Sequence, residues 1–272
     1  MGELGYTLSG DARHPTVIFL HGFTGSSEDW RSVVAALDGR YRCLAVDLPG
    51  HGASLGLPPE DYTIEGATRS LLALLDEIGA ERPALVGYSM GGRLALYLVL
   101  RHPERCAGLF LESVSPGLED AMEREARRRS DEEKAERLEA GDLASFLYDW
   151  YRQPLFASLS RHEGLIEAMI EARSHNDPDE LARSLRGMGT GTQPSLWGDL
   201  TGLRIPALVV AGELDERYAG IAARMASLNP RMRTAIVPGA GHNIHLEHPE
   251  AYLALLKLLL SAPEAEFPSP DR

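Results

Sequence analysis

Six short runs of β-branched and aliphatic residues, separated by amphipathic stretches, constrain this chain most strongly. The runs are TVIFL (16–20), RCLAV (42–46), ALVGY (84–88), AGLFLES (107–113), IPALVVAG (205–212) and RTAIVPG (233–239). Between them, the segment IEGATRSLLALLDEIGA (64–80) places its apolar residues at helical spacing. Buried strands that alternate with helices predict an α/β fold, with a mostly parallel central sheet and helices on both faces.

The alternation stops in residues 115–200, which contain no convincing strand and are rich in Arg, Glu, Ala and aromatic residues. We interpret this segment as a helical cap inserted over the carboxyl edge of the sheet. The prediction is a core in two parts, 1–114 and 201–262, with the cap at 115–200. Residues 263–272 are rich in proline and are expected to form a flexible tail.

Composition and charge exclude several classes of partner. Of 272 residues, 44% are hydrophobic and 25% charged, and the formal net charge is −13, which disfavours nucleic acids and anionic membranes. No apolar run reaches the roughly 18 residues of a membrane span. The N-terminal residues also lack the basic start and apolar core of a signal peptide. A cytoplasmic protein with a small-molecule partner is expected, and the oligomeric state stays open.

Cys43 and Cys106, beside apolar runs, are expected to be buried reduced thiols.

The segment Gly87-Tyr88-Ser89-Met90-Gly91 matches the pattern G-x-S-x-G between a predicted strand and a predicted helix. Such a tight turn needs glycine where backbone segments approach too closely for a Cβ. It places the serine at a helix N-terminus, where unpaired N–H groups favour developing negative charge. A structural turn is the alternative, but the strand–turn–helix context favours an active serine.

The partners of such a serine follow in the order Asp or Glu, then His, at the ends of later strands. Asp215 follows the run 205–212, and His242 lies in a glycine-rich loop after the last run. The histidine would take the hydroxyl proton, and the acid would fix its tautomer. Glu213 is the nearest competitor for the acid. The alternatives for Asp215 and His242 are a capping aspartate and a packed loop histidine.

The grouping of His242, His245 and His248 raises the question of a metal site. No carboxylate or cysteine motif joins them at ligand spacing. We therefore expect no metal site.

Two glycine-rich loops follow the first two long strands. In LHGFTGSSEDW, the backbone N–H of Phe23 is expected to point at the serine and to form an oxyanion hole with that of Met90. His21 there, and Asp47 and His51 in DLPGHGAS, are interpreted as loop-building residues.

Five segments together resemble the α/β-hydrolase superfamily over nearly the whole chain: the turn Gly87–Gly91, called the elbow from here on, the LHGF turn, DLPGHGAS, and the later GELD and AGHN segments. That fold hosts many reactions. More discriminating are GYSMGGR, ESVSPGL and the cap segments ARRRSD, DWYRQPLFASL, EARSHND and GTGTQPSLW. They are similar to the MenH family of menaquinone biosynthesis, the 2-succinyl-6-hydroxy-2,4-cyclohexadiene-1-carboxylate synthases.

The resemblance implies a carbon–oxygen lyase without a cofactor. The substrate would be the polycarboxylate 2-succinyl-5-enolpyruvyl-6-hydroxy-3-cyclohexene-1-carboxylate, and the products pyruvate and the cyclohexadiene carboxylate. The triad Ser89, Asp215 and His242 would remove a carbon proton. Either a lone histidine or a serine activated by it can serve as the base, and the family favours the serine. The substrate-binding residues that the resemblance implies are Arg93, Arg127, Arg173, Tyr88 and Trp150.

Each of these binding residues has a structural alternative. Arg93 lies one helical turn after Ser89 and, if buried, needs a partner, which an internal salt bridge would also provide. Arg127 is followed by Arg128 and Arg129, and a helix points neighbours about 100° apart, so only one can face a given ligand. Solvated arginines are the alternative for Arg127 and Arg173. For Tyr88 and Trp150 the alternative is packing alone.

Three other functions compete with the lyase. A carboxylester or C–C bond hydrolase would use the same triad, but the arginines favour a polycarboxylate. A ligand receptor would show a damaged triad or elbow. A membrane-associated lipase would need a strongly apolar cap, whereas this cap is rich in arginine and glutamate.

Overall fold

The computed structural model describes residues 2–37 and 39–261. Its strands are β1 (Tyr6–Ser9), β2 (Thr16–Leu20), β3 (Arg42–Val46), β4 (Ala84–Tyr88), β5 (Gly108–Glu112), β6 (Ala207–Gly212) and β7 (Met232–Val237). They form one sheet in the order β1-β3-β2-β4-β5-β6-β7. β1 pairs with β3 in antiparallel fashion and every other pairing is parallel, which confirms the predicted mostly parallel sheet.

All six predicted runs form strands, and three of them have different ends. The run 107–113 is a strand only over Gly108–Glu112, the run 205–212 begins at Ala207, and the last strand covers Met232–Val237. β1 was not predicted. Its four residues, YTLS, are all exposed at the edge of the sheet, so they carry no buried apolar pattern that could signal a strand.

Helices cover both faces of the sheet, as predicted. They are α1 (Arg31–Leu37), α2 (Ile64–Glu77), α3 (Ser89–Arg101), then four helices of the cap, α4 (Ala121–Glu139), α5 (Leu143–Tyr151), α6 (Leu165–Arg173) and α7 (Pro178–Met188), and finally α8 (Glu216–Leu228), α9 (Ile244–Glu247) and α10 (Pro249–Ser261). The predicted helix 64–80 ends three residues early. Gly79, with φ 70°, adopts the left-handed conformation that commonly terminates helices.

Alternate residues of the inner strands, β2 to β6, pack into two separate cores. In β2, Ile18 and Leu20 pack into the cluster that includes residues of α2, α3 and α8. Val17 and Phe19 point to the other face, into the cluster with α1 and α10. A strand buried on both faces reads as a continuous apolar run, and this explains why the sequence revealed these strands so clearly.

Between β5 and β6 the described chain is helical and has a small core of its own. That core includes Leu138, Leu147, Phe156, Leu159 and Leu181. We propose residues 115–200 as the extent of the cap, between core segments 1–114 and 201–262. The predicted tail, 263–272, lies outside the described residues.

The remaining expectations concern membranes and cysteines. Among the helices that the structure describes, none combines the length and the apolar character that crossing a membrane requires. Cys43 and Cys106 are both buried, and burial raises the pKa of the Cys106 thiol to about 12.

Candidate active site

A sharp corner joins β4 to α3 and carries Ser89. Ser89 has φ 48°, a left-handed conformation that is uncommon outside glycine. The flanking glycines permit the crossing of backbones here. A Cβ on Gly87 would lie 2.5 Å from the Cα of Gly92, and one on Gly91 would lie 2.3 Å from the carbonyl oxygen of Leu20. The glycines of the G-x-S-x-G pattern are therefore required because a side chain at either position would clash with neighbouring backbone.

Replacing Gly91 with alanine is expected to lower the free energy of unfolding by about 1–3 kcal/mol, the usual cost of overpacking. The new methyl group would meet two backbone carbonyls, those of Leu20 and His21, which cannot rotate away. Thermal denaturation measures the change. Gly220→Ala in α8 is the matched control, because its Cβ would have no atom within 4 Å and alanine favours helix. Equal melting temperatures for the two variants would contradict this account of the corner.

Ser89, His242 and Asp215 form a connected row. The Nδ1–H of His242 donates to Oδ2 of Asp215 at 2.6 Å, and Nε2 lies 3.4 Å from Oγ of Ser89. Both His242 and Asp215 are buried. The competitor Glu213 instead accepts a hydrogen bond from the backbone N–H of Gly239, near the surface. With Nδ1 bound to the carboxylate, the imidazole presents Nε2 to the serine hydroxyl, as a base must.

The loop that carries His242 is held by a second buried acid–histidine pair, which the sequence analysis missed. Glu112, at the end of β5, accepts hydrogen bonds from both the backbone N–H and Nδ1 of His245. Ser113 Oγ donates to the carbonyl of His242 at 2.9 Å. An acidic residue at the end of a fully buried strand was the signal that could have revealed Glu112. Within residues 2–37 and 39–261, no cluster of three or more histidine, cysteine or acidic side chains could hold a metal.

The two predicted oxyanion donors belong to the same cleft as Ser89. Met90 is the second residue of α3, so its N–H has no acceptor within the helix. Phe23 and Met90 both line the cleft that contains Ser89.

The residues interpreted as loop-building do bind the backbone of the two loops. Nε2 of His21 accepts from the N–H of Leu48 at 3.0 Å, and Nε2 of His51 accepts from the N–H of Thr24 at 3.1 Å. Burial lowers the pKa of both histidines, which keeps them neutral and able to accept. Asp47 Oδ1 accepts from the backbone N–H of Ser27.

A cleft lies between the carboxyl edge of the sheet and the cap. Asp215 lies behind His242, outside the lining. The structure brings the other nine predicted site residues to the wall of this one cleft: Phe23, Tyr88, Ser89, Met90, Arg93, Arg127, Trp150, Arg173 and His242.

Arg93 is buried on α3, one turn beyond Ser89. Its Nη1 donates to the carbonyl of Met188 at 2.8 Å and to Oε1 of Gln193 at 2.9 Å, and both acceptors are uncharged. Burial, and then the nearby charge of Arg127, lower its pKa to about 10, so it remains a cation at neutral pH. The internal salt bridge that was the alternative is therefore absent from the contacts of Arg93 in the described chain.

Of the three consecutive arginines on α4, only Arg127 lines the cleft. It is half-buried, and its Nε donates to Oδ1 of the buried Asp131 at 2.7 Å. Arg128 and Arg129 are exposed, and Arg128 pairs with Glu125 on the outer surface. The angle of about 100° between neighbouring residues of a helix thus turns Arg127 toward the cleft and Arg128 and Arg129 toward the outer surface.

Arg173 reaches the cleft from α6 and already has an acidic partner. Its Nη2 donates to Oδ2 of Asp29 at 2.9 Å; Arg173 is buried and Asp29 is partly buried. Its Nε is buried without a hydrogen-bond partner among the residues described. The pair joins the cap to the segment after β2, and no pattern in the sequence indicated Asp29.

The two predicted aromatic residues both pack and line the cleft. The Tyr88 hydroxyl donates to Oδ1 of Asn243 at 2.7 Å, and burial raises its pKa well above its ordinary value. Trp150 meets Phe23 at 5.2 Å between ring centroids and stacks on Phe146 at 5.8 Å. Packing and contact with a ligand are compatible at both positions.

A triad at the carboxyl edge of a parallel sheet, with its serine at a strand–helix corner, defines the α/β-hydrolase class. The family model described as alpha/beta hydrolase fold matches residues 15–249.

Similar proteins and solved structures identify the family within this class. The 2-succinyl-6-hydroxy-2,4-cyclohexadiene-1-carboxylate synthase of Serratia proteamaculans (strain 568) is 40% identical over 255 residues, covering 93% of this chain and 96% of that protein. The solved structure of MenH from S. aureus superimposes with a TM-score of 0.89 at 31% identity, covering 94% of this chain and 97% of that one. Protein PHYLLO, chloroplastic, of Arabidopsis thaliana is 34% identical over 265 residues, and this chain spans 16% of its length. The chain belongs to the family of 2-succinyl-6-hydroxy-2,4-cyclohexadiene-1-carboxylate synthases.

Proposed function

We propose that this chain eliminates pyruvate from 2-succinyl-5-enolpyruvyl-6-hydroxy-3-cyclohexene-1-carboxylate to give 2-succinyl-6-hydroxy-2,4-cyclohexadiene-1-carboxylate. The observation that carries the proposal is the convergence of Arg93, Arg127 and Arg173 on the cleft of Ser89. A chain of net charge −13 concentrates three cations where a tricarboxylate would bind. Guanidinium groups suit carboxylates because they can donate two parallel hydrogen bonds.

The elimination begins with loss of the proton on the ring carbon that bears the succinyl ketone. His242 takes the proton of Ser89, and Ser89 Oγ takes the carbon proton. Negative charge then develops on the succinyl carbonyl oxygen, where the N–H groups of Phe23 and Met90 provide an oxyanion hole.

The electron pair of the broken C–H bond moves into the ring and shifts its double bond. A second double bond forms as the C–O bond to the enolpyruvyl group breaks. The leaving group departs as pyruvate enolate, which gains a proton from solvent to become pyruvate, and His242 gives the proton it took from Ser89 back to solvent. No water is consumed, and no acyl group is transferred to Ser89.

The test supplies purified protein with substrate made freshly by an enzyme that forms it, and follows two products. A coupled dehydrogenase measures pyruvate, and absorbance measures the conjugated diene. We expect both to appear together, well above the spontaneous rate. A rate equal to the spontaneous one, with rapid cleavage of a simple aryl ester, would instead favour the carboxylester hydrolase.

Arg127→Ala is expected to raise KM by about 10- to 100-fold, the loss expected when one hydrogen bond to a charged group is removed. Arg128→Ala is the matched control, since Arg128 is the next residue on α4 and pairs with Glu125 at the surface. Its KM should stay within about twofold of wild type, as surface substitutions usually do little. Similar KM values for the Arg127→Ala and Arg128→Ala variants would show that Arg127 does not bind the substrate.

A further inference from the structure

Tyr218 is a residue of the cleft to which the sequence analysis assigned no role. It lies in the first turn of α8, three residues after Asp215. Oδ1 of Asp215 accepts a hydrogen bond from the backbone N–H of Tyr218 at 3.4 Å, while Oδ2 holds His242. The acid of the triad thus also caps α8 and fixes where Tyr218 enters the cleft.

The ring of Tyr218 covers the ring of His242. The two centroids lie 4.7 Å apart at an interplanar angle of 66°, the shortest approach among the aromatic contacts of His242 in the described chain. Tyr218 lines the cleft together with Arg93 and Arg127. The side chain therefore contacts the base of the triad and shares the cleft wall with the two arginines.

The hydroxyl of Tyr218 sets it apart from the other cleft tyrosines. The hydroxyl of Tyr88 is bound to Asn243, and that of Tyr151 to Thr24 at 3.0 Å. Over residues 2–37 and 39–261, the hydroxyl of Tyr218 has no hydrogen-bond partner in the protein. A phenylalanine would supply the same ring edge to His242, so packing does not account for the hydroxyl.

The surroundings indicate what this hydroxyl would bind. Tyr218 lines the same cleft as Arg93 and Arg127. Burial raises the pKa of its hydroxyl, while the charges of Arg93, Arg217 and Arg127 act in the opposite direction. At neutral pH the phenol is protonated and can donate. Arg93 uses only Nη1 on acceptors in the described protein, which leaves Nη2 and Nε for a ligand.

We propose that the Tyr218 hydroxyl donates a hydrogen bond to the same substrate carboxylate that Arg93 binds. This inference rests on the proposed function, because it needs a carboxylate-bearing substrate in the cleft. Tyr218 is then a substrate-binding residue whose ring also keeps His242 in place. A guanidinium and a phenol together would distinguish a carboxylate from an uncharged ester group at this position.

The test compares Tyr218→Phe with wild type in the pyruvate-release assay. Removing the hydroxyl while keeping the ring should raise KM about tenfold and leave kcat within about twofold, because ground-state and transition-state binding are lost equally. Tyr6→Phe is the matched control, the same chemical change on an exposed strand outside the cleft. An unchanged KM in Tyr218→Phe would overturn the proposal, and so would a fall in kcat alone.

A double-mutant cycle tests the shared carboxylate. In an Arg93→Ala background, the hydroxyl should matter less, so Tyr218→Phe should raise KM by less than about threefold. The same tenfold effect in both backgrounds would show that the two groups act independently and would contradict the proposal. Wild-type protein without pyruvate release would mean failure of the proposed function, whereas active wild type with an insensitive Tyr218→Phe variant would mean failure of this inference alone.

Discussion

Replacing Ser89 with alanine is expected to lower kcat by about 10²- to 10⁴-fold, the usual contribution of a positioned general base. In the proposed mechanism the hydroxyl receives the carbon proton, and His242 lies 3.4 Å from it to accept the proton it gives up. Without the hydroxyl, the imidazole of His242 would be separated from the substrate carbon by the vacated space. Stopped-flow measurement of pyruvate release gives the rate.

His242→Ala is the companion variant, because the two together identify the base. If the serine is the base, both substitutions should reduce kcat by similar factors, since groups that act as a unit are not additive. Near-wild-type activity in Ser89→Ala, with none in His242→Ala, would make the histidine the base. An obligatory covalent adduct on Ser89 during turnover, detected by mass spectrometry, would overturn the elimination mechanism.

Arg93→Ala is expected to reduce kcat/KM by roughly 30- to 1,000-fold, which corresponds to the loss of about 2–4 kcal/mol from a buried charge-assisted contact. The guanidinium is buried one turn beyond Ser89 and has only uncharged acceptors in the described protein. A buried cation without an anionic partner is costly, and a substrate carboxylate would supply that partner.

Arg101→Ala provides the control for Arg93→Ala. It removes an arginine from the last turn of the same helix, where the side chain is exposed and pairs with Asp199. Its kcat/KM should match wild type. Arg93→Lys keeps the charge but loses the planar donors, so intermediate activity is expected. A lower melting temperature for Arg93→Ala with an unchanged kcat/KM would make Arg93 a structural residue.

The short buried strands explain how much of the fold was predictable. Strands buried on both faces must be apolar throughout, so β2 to β6 appear as runs that need no knowledge of their neighbours. β7 was also predicted as a buried strand, but only its first and last residues, Met232 and Val237, are buried. β1 escaped prediction because its residues are exposed, and its position is determined only by pairing with β3. Strand and helix ends shifted by a few residues because local features such as Gly79 decide them.

The residues of the candidate site likewise fall into those that the sequence predicted and those that it did not. The elbow, Asp215 and His242 could be located because each follows a strand end, and parallel strands bring those ends to one edge. The residue pattern alone did not indicate which of Arg127, Arg128 and Arg129 faces the cleft, and only the family resemblance implied Arg127. Asp29 and Tyr218 carried no pattern at all, and Glu112 carried only the weak signal of an acid at the end of a buried strand. Each acquires its role from a contact with a residue distant in sequence: Arg173, His242 and His245, respectively.

The sequence by itself therefore determined the sheet, the order of the triad and the family to which the chain belongs, because these depend on local patterns of burial and backbone geometry. The tertiary structure decided which arginine faces the cleft, which acids restrain the arginines and the loop of His242, and which hydroxyl is left open to a ligand. Those outcomes depend on the packing of the cap against the sheet. Charges and hydrogen-bonding groups far apart in sequence meet only there, and no periodicity along the chain encodes their distances.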